Sequence, residues 1–135
     1  MSKKAIYSKN APEAIGPYNQ AILAHNTLFV SGQIPIDPET GKLITTGRKE
    51  ETRRCLDNIG QILEAAGFGL NDVVKSTIFL TDMNDFSLVN EVYKDFFAEV
   101  IAPARETVAV TALPAGAHIE ISVIAMRDQP ASKLP

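Results

Sequence analysis

An arginine and a glutamate in the last third of the chain are the residues best suited to chemistry on a small charged molecule. Arg105 lies in the segment 104–110, and Glu120 lies in the segment 119–126. A guanidinium group presents a rigid fork of N–H donors that can bind a carboxylate through two hydrogen bonds. A carboxyl group removed from solvent has a raised pKa, which suits it to handle a reacting water molecule.

The strand pattern around Glu120 indicates that both faces of the predicted sheet are covered. Side chains alternate along a strand. One face of this strand is therefore apolar and consists of Ile119, Ile121, Val123 and Ala125. Glu120 lies on the opposite face beside Ile124 and Met126, which a solvent-facing surface would not readily carry. Another copy of the chain is the simplest cover, so we expect Arg105 and Glu120 to lie at a subunit interface.

Both residues also have a structural interpretation, which the sequence leaves open. Arg105 can form a salt bridge with Glu106 or with another subunit. Glu120 on a covered face must be paired, hydrogen-bonded or functional, because an isolated buried carboxylate is costly. An ion pair with Arg105 alone would meet that requirement.

Further residues are candidates for binding a ligand, each with a structural alternative. Gly32 follows Ser31 at the end of a predicted strand, where it either leaves room for a ligand or forms a simple bulge. Tyr18 follows a rigid Gly-Pro turn, and its ring either presents a hydroxyl to a ligand or packs under the loop. Asn90 borders the apolar face of the second predicted helix, where its amide either reaches a site or holds a neighbouring backbone group.

Composition and charge exclude several classes of function. The 135-residue chain has a net charge of −3, which gives no basic footprint for nucleic acid. Its densest basic stretch, residues 48–54, alternates in sign and is typical of a solvated helix face. Cys55 is the only cysteine, so neither an intrachain disulfide nor a cysteine-based metal site can form. His25 and His118 lack the spacing of metal ligands, and we expect no metal.

The chain also lacks the patterns of a membrane or secreted protein. No run reaches the length of a membrane span, and the N-terminus leads into no apolar signal core. We expect a cytoplasmic protein with a single domain, residues 1–128, and a flexible C-terminal tail, residues 129–135.

The apolar patterns predict the element order β-β-β-α-β-α-β-β. Six segments have strand patterns: residues 4–7, 20–24, 27–31, 73–81, 105–112 and 118–127. Apolar residues at steps of three and four predict helices at 48–66 and 85–100, the first ending at a left-handed Gly67. His25 and Asn26 have the length of a two-residue hairpin turn, in which Asn26 is the better residue for a positive φ.

This order predicts the fold class. Two amphipathic helices need a sheet face on which to bury their apolar stripes. We therefore expect an α+β domain of two layers, with a mixed six-stranded sheet and both helices on one face. The other face is left for self-association, and a closed ring is the usual solution for soluble homo-oligomers.

An ordered set of short motifs resembles the Rid family, the reactive intermediate deaminases, also called YjgF-type or L-PSP proteins. Each motif is unspecific by itself, whereas the ordered set is specific and runs over nearly the whole chain. The matching residues are 14–18, 29–35, 52–67, 74–85, 89–90, 93, 96–97, 103–105, 113–114 and 119–121.

The resemblance implies a chorismate-mutase-like fold and a homotrimer with three ligand clefts between adjacent subunits. It also implies a hydrolase, a 2-iminobutanoate/2-iminopropanoate deaminase, which needs neither metal nor cofactor. Its substrates would be reactive enamines and imines released by pyridoxal-phosphate-dependent dehydratases, namely 2-aminoacrylate with its imine form 2-iminopropanoate, and 2-iminobutanoate. The products would be the 2-keto acid and ammonia.

The same resemblance implies roles for individual residues. Arg105 would bind the substrate carboxylate, and Glu120 would orient and activate the attacking water. The other residues that it assigns to substrate binding are Tyr18, Ser31, Gly32, Asn90 and Thr107, with Gly32 and Thr107 acting through backbone groups.

The chain departs from the family pattern directly after Arg105. Glu106 and Thr107 stand where family members often have Ser and Cys, so a regulation based on that thiol does not extend to this chain. Glu106 should point away from the face of Thr107, because neighbouring side chains alternate along a strand.

Two other functions stay open. A non-catalytic binder of small carboxylates, or a regulatory variant of one, would use Arg105 as its anchor. Cleavage of RNA or inhibition of translation is also attached to the family, but the negative net charge and the lack of a basic stripe argue against it.

Overall fold

The computed structural model describes residues 2–128 and consists of a six-stranded sheet with two helices packed on it. The helices are α1 (Arg48–Ala65) and α2 (Phe86–Phe96). The strands are β1 (Lys3–Ile6), β2 (Ala21–Ala24), β3 (Thr27–Gln33), β4 (Val73–Leu80), β5 (Ala104–Ala109) and β6 (Ile119–Met126). Short 3-10 turns form at Leu70–Asp72, Met83–Asp85 and Pro114–Gly116. The predicted order of helices and strands is confirmed.

The sheet is mixed, with the strand order β1-β2-β3-β6-β4-β5. Neighbouring strands are antiparallel except β4 and β5, which are parallel. A parallel pair needs a crossover connection, and α2 supplies it. As a result, β4 separates β5, which contains Arg105, from β6, which contains Glu120.

Both helices cover one face of the sheet and bury the core against it. Helix α1 contributes side chains that are at most 1% exposed, namely Cys55, Leu56, Ile59, Ile62 and Leu63. Alternate residues of the strands are buried on the same face, among them Ile78 and Leu80 of β4 and Ile119, Ile121, Val123 and Ala125 of β6. The predicted two-layer α+β class is therefore confirmed.

The opposite face of the sheet keeps apolar side chains at the surface of the single chain. Phe29 on β3 is 48% exposed and lies beside Ile124 of β6. Met126 and Val108 are also exposed by more than 40%. The prediction that Ile124 and Met126 lie on this second face is confirmed, and its cover by another copy of the chain stays a prediction.

Two elements end three or four residues earlier than predicted. Helix α2 ends at Phe96 rather than near residue 100, because the following residues form turns, with the amide of Val100 bonded to the carbonyl of Phe97. Strand β5 ends at Ala109 rather than at residue 112, because its partner β4 ends at Leu80.

The end of α1 matches its prediction. Gly67 has a φ of 77°, which is the left-handed conformation that glycine tolerates best. The amides of Gly67 and Phe68 bond to the carbonyls of Glu64 and Leu63, which is the Schellman pattern of capping. The side chain of Arg127 adds a hydrogen bond to the carbonyl of Gly67.

The β2–β3 turn has the predicted length, but His25 rather than Asn26 takes the positive φ, of 57°. The pairing of Ala24 with Thr27 fixes which two residues turn. That register is set by the burial of Leu23 and Leu28 on the core face, so it overrides the local preference of Asn for this conformation.

The predicted tail, residues 129–135, lies outside the described residues. Within residues 2–128, neither helix is long and apolar enough to cross a membrane.

Candidate active site

Arg105 lies on the helix-covered face of β5, against α2. It pairs in register with Ser76 of β4, whose side chain is buried on that face. Its Nη1 donates a hydrogen bond of 2.7 Å to Oδ1 of Asn90. No carboxylate of residues 2–128 lies within salt-bridge distance of the guanidinium. The fork of donors is therefore oriented by Asn90 and is left without an anion.

Two aromatic rings hold the guanidinium plane. The Arg105 Cζ lies 4.9 Å from the ring centroid of Tyr93 and 5.5 Å from that of Phe86. The Tyr93 hydroxyl is hydrogen-bonded to the Ser76 hydroxyl, and burial raises the pKa of Tyr93. Tyr93 is thus neutral. Because α2 holds its backbone and Ser76 holds its hydroxyl, its ring positions the Arg105 guanidinium as well as attracting it.

The residues after Arg105 follow the predicted alternation. Glu106 points to the opposite face and forms a 3.0 Å ion pair with Lys75, so it does not neutralise Arg105. Thr107 lies on the Arg105 face, in register with Ile78. Its hydroxyl oxygen is buried and has no hydrogen-bond partner among residues 2–128. The side chain of Thr107 therefore lies at the Arg105 site, whereas the resemblance assigned a role to its backbone.

Glu120 lies on the other face of the sheet, away from the helices. It pairs in register with Phe79 of β4 and extends over the Cα of Gly32 on β3. There it lines a cleft of about 370 Å³ formed with the loop 12–18, Gln33, Ile34, Ile36 and Pro114. The β3–β6 register shifts between Val30 and Gln33, so Gly32 lies in the irregular part of the strand that sequence analysis indicated.

The Glu120 carboxyl group is desolvated but not compensated. Burial raises its pKa above the ordinary glutamate value. Within residues 2–128, it has neither a salt-bridge partner nor a hydrogen-bond donor. A partly buried carboxylate with no partner is costly to keep, and sites of this kind are enriched in function.

Gln20 holds the loop that forms one wall of the cleft. Its Oε1 accepts a hydrogen bond of 2.6 Å from the amide of Ser8. Its Nε2 donates to the carbonyls of Ser8 at 3.1 Å and Pro12 at 2.8 Å. Gln20 is 3% exposed, so one buried side chain ties down the loop before Tyr18. Sequence analysis did not single out this residue.

Tyr18 and Ser31 have different positions at this cleft. Tyr18 lines the cleft and is 48% exposed, and its hydroxyl accepts a long 3.4 Å hydrogen bond from the amide of Ile15. The Ser31 hydroxyl donates to the carbonyl of Asn19 at 2.6 Å, so it fixes the loop behind Tyr18. Gly32, not Ser31, is the member of this pair that lines the cleft.

One chain therefore contains two separate groups of candidate residues, which we call half-sites. The first has Arg105, Asn90 and Thr107 on the helix-covered face, and the second has Glu120 and Tyr18 on the opposite face. Because β4 lies between β5 and β6 and the two side chains point to opposite faces, an Arg105–Glu120 ion pair within the chain does not form.

Sequence analysis missed a buried charge on α1. Glu51 is 0% exposed and contacts His118, which sequence analysis considered only as a metal ligand. The sequence does indicate this burial, because Glu51 precedes Cys55 by one helical turn and so lies on the apolar stripe of α1. Among residues 2–128, no cluster of three His, Cys, Asp or Glu side chains is arranged to hold a metal ion.

Comparison with known proteins identifies the family. The family model described as endoribonuclease L-PSP matches residues 8–127. A RutC family protein of Pyrococcus horikoshii is 53% identical over 93% of this chain and 99% of its own length. The 2-iminobutanoate/2-iminopropanoate deaminase of Mus musculus is 47% identical over 93% of this chain and 92% of its own length.

A solved structure supports the same family. A protein of the conserved Rid family from Yersinia pestis, described as being of unknown function, superposes with a TM-score of 0.91 at 50% identity, covering 93% of this chain and 100% of that one. This chain therefore belongs to the L-PSP, or Rid, family, which confirms the resemblance that its motifs indicated.

Gly32→Ala should displace the Glu120 carboxyl group. A Cβ at residue 32 would lie 2.5 Å from Oε2 and 2.7 Å from Cδ of Glu120, so the side chain would have to move towards solvent. We expect the pKa of Glu120 to fall, because burial is what raises it. A carbon-13 NMR titration of the carboxyl groups measures this shift.

Gly69→Ala is the matched control for that titration. A Cβ there would meet nothing closer than Asp72 Oδ2 at 3.9 Å, and the Glu120 pKa should not change. If Glu120 titrates identically in Gly32→Ala and wild type, its carboxyl group does not rest over residue 32.

Glu120→Gln should stabilise the protein at neutral pH. A carboxyl group whose pKa is raised by folding contributes stability below its unfolded pKa, and that contribution is lost as the pH rises through the folded pKa. Removing the charge should therefore raise the free energy of unfolding at pH 7 but change it little near pH 4. Urea denaturation at both pH values, at equal protein concentration, tests this.

The exposed Glu39 in a surface turn provides the control, and Glu39→Gln should show no such pH-dependent gain. A Glu120→Gln protein that is less stable than wild type at pH 7 would mean that the carboxylate has a stabilising partner.

Proposed function

We propose that this protein hydrolyses small 2-imino acids to 2-keto acids and ammonia, in clefts formed between adjacent copies of the chain. The observation that carries the proposal is the separation of two groups on opposite faces of one sheet, a guanidinium and a carboxyl group, neither of which has a partner of opposite charge within residues 2–128. The 47% identity to a relative named 2-iminobutanoate/2-iminopropanoate deaminase supports this reaction class.

Arg105 would bind the substrate carboxylate. Asn90 and the Tyr93 ring hold the guanidinium in one orientation, and its remaining N–H groups offer a bidentate site. This anchor selects imino acids over neutral imines, because a neutral molecule would leave the charged donors unpaired. The Thr107 backbone and side chain lie next to the anchor and would complete this half.

Glu120 would handle the water molecule and the protons. Its carboxylate accepts a proton as the water oxygen bonds to C2 of the protonated imine, which gives a tetrahedral amino alcohol. The resulting carboxylic acid then returns the proton to the nitrogen. As the C–N bond breaks, the Glu120 carboxylate accepts the hydroxyl proton, so that the 2-keto acid and ammonia leave, and passing this proton to the ammonia restores the carboxylate. A raised pKa brings Glu120 closer to the pH at which it can both accept and donate.

The chemistry needs little more than placement. Imines already react with water, so fixing the substrate by its carboxylate beside an oriented water supplies most of what a catalyst must add. The proposed substrates are 2-iminobutanoate and 2-iminopropanoate, the latter also in its enamine form 2-aminoacrylate. Pyridoxal-phosphate-dependent dehydration of threonine and serine releases these compounds, and their hydrolysis requires no cofactor.

A closed homotrimer would join the two half-sites. The helix-free face carries Phe29, Val108 and Met126 partly exposed, which is the apolar surface that self-association would bury. In each cleft, one subunit would contribute Arg105 with Asn90. Its neighbour would contribute Glu120 and Tyr18, together with the Ser31-Gly32 strand end.

Cleavage of RNA, the activity in the family model's description, fits the site less well. The chain has a net charge of −3, and the described cleft presents the Glu120 carboxyl group. A polyanion would meet repulsion there rather than the basic surface that phosphates require.

Arg105→Ala should lower kcat/KM by about 100-fold or more, because two charge-assisted hydrogen bonds of about 1.5–3 kcal/mol each would be lost. In the assay, threonine dehydratase generates 2-iminobutanoate and semicarbazide traps the imine that escapes hydrolysis. Wild type should suppress trapping and speed release of the 2-keto acid, whereas the variant should not.

Arg53→Ala is the matched control, because Arg53 also stacks on a phenylalanine, with Cζ 5.7 Å from the Phe96 ring, and pairs with Asp57 and Asp95 at the surface. It should keep wild-type activity. A wild-type protein that leaves trapping unchanged would contradict the deaminase proposal. Binding of 2-ketobutanoate without turnover would then favour a non-catalytic binder of small carboxylates.

Two inactive variants should restore activity when they assemble together. Glu120→Gln should be inactive like Arg105→Ala, because it cannot accept the proton of water. If each cleft takes Arg105 from one subunit and Glu120 from the next, refolding an equal mixture regenerates both groups in about a quarter of the clefts.

The readout is the same trapping assay, compared with the two variants refolded separately and then mixed. Recovery to about a quarter of wild-type activity supports clefts between subunits. A co-refolded mixture that stays inactive, while wild type refolded in the same way is active, would place the whole site within one chain.

A further inference from the structure

A buried ionic network lies where α1 begins, outside both half-sites. Its centre is Glu51, whose side chain is completely buried. Glu51 Oε2 accepts hydrogen bonds from Arg48 Nη1 at 3.1 Å and from the amide of Gly47 at 3.3 Å. The neighbouring residues on this helix stripe are Cys55 and Leu56. For packing alone, an apolar residue at position 51 would therefore be less costly than a glutamate.

One arm of the network reaches the strand that carries Glu120. Glu51 Oε1 lies 3.3 Å from His118 Nδ1. Because an ionised carboxylate can only accept, Nδ1 is the nitrogen that carries the hydrogen. The His118 carbonyl accepts a 3.2 Å hydrogen bond from the amide of Thr81, so residue 118 is held on both its backbone and its side chain. Glu120 follows two residues later on β6.

The other arm reaches the helix that positions Arg105. Arg48 Nε donates a 3.0 Å hydrogen bond to Asp85 Oδ2. Asp85 immediately precedes α2 and makes no side-chain capping hydrogen bond there, so its carboxylate serves the contact with Arg48. The next residue, Phe86, places its ring against the Arg105 guanidinium, and Asn90 is one turn further along.

We propose that Glu51 is a positioning residue of the deaminase site, an inference that rests on the proposed function. Through His118 it fixes the start of β6 and hence the position of the Glu120 carboxyl group in the cleft. Through Arg48 and Asp85 it fixes the start of α2 and hence the orientation of Arg105. Hydrogen bonds are directional, so a buried charge with three donors fixes both elements more tightly than an apolar contact would.

The two arms make different kinetic predictions. Disturbing the His118 arm moves the proton acceptor, so it should lower kcat and leave the affinity for a carboxylate almost unchanged. Disturbing the Asp85 arm moves the anion anchor, so it should raise KM and the Kd for 2-ketobutanoate more than it lowers kcat. A merely structural network would lower kcat, weaken binding of 2-ketobutanoate and lower the melting temperature together.

A matched pair of variants tests the first arm. His118→Asn keeps an N–H donor near the position of Nδ1, whereas the similarly polar His118→Gln places its nitrogen near that of Nε2. We expect His118→Gln to lower kcat by about 10-fold or more, since small displacements of reacting groups are that costly, and His118→Asn to retain most of it.

Asp85→Ala tests the second arm and should raise the Kd for 2-ketobutanoate about 10-fold, measured by calorimetry. Asp95→Ala is its control, because Arg53 and Asp95 also join α1 to α2 but at the exposed surface. That variant should keep wild-type kcat, KM and Kd.

The outcomes separate the two proposals. If wild type hydrolyses the imine but His118→Asn and His118→Gln behave alike, or Asp85→Ala keeps wild-type binding, the positioning role is wrong and the deaminase proposal stands. If wild type itself has no activity, both proposals fall. The split between kcat and Kd, with rescue by His118→Asn, supports the positioning role.

Discussion

The two-residue period of the β-strand controls where each polar group of this protein can act. In β5 it puts Arg105 and Thr107 on the helix-covered face of the sheet, and in β6 it puts Glu120 on the face that no described helix covers. A change of register by one residue in either strand would exchange core and surface, so the register is held by the burial of Ile119 and Ile121. The positions of the charged groups are therefore a consequence of core packing.

That constraint explains why the site carries uncompensated groups. A cation and an anion on opposite faces cannot neutralise each other, and each is held by neighbours that do not quench its charge. Asn90 orients the guanidinium with a neutral oxygen, and Gly32 gives the Glu120 carboxyl group space without offering it a donor. Within residues 2–128, the chain thus leaves both groups without a compensating charge, at some cost in stability.

Much of the fold follows from local patterns in the sequence. The apolar stripe of α1 and the glycine at residue 67 define that helix to within a residue, and alternation in β6 identifies its buried face. The ends of α2 and β5 were less predictable, because they depend on turns and on the length of a partner strand. Arg105 and Glu120 could be selected by chemical type, but their placement on opposite faces needed the strand order, which local patterns do not contain.

The contacts that sequence analysis missed join distant segments. Arg48 and Asp85 are 37 residues apart, and Glu51 and His118 are 67 residues apart, so no short motif reports either contact. Glu51 also sits within a run of alternating charges, which hides its position on the apolar stripe. Burial of a single charge depends on which elements pack around it, and that is a property of the assembled fold.

The way Gln20 anchors its loop bears on how the cleft can change during evolution. Its hydrogen bonds go to backbone groups of Ser8, Ala11 and Pro12, so they do not depend on which side chains those residues carry. Side chains at the cleft-lining residues 13–15 can therefore be exchanged without breaking these bonds. The side chains of this wall can thus vary while its anchoring hydrogen bonds are kept. Relatives or designed libraries could in this way accept ligands of different size.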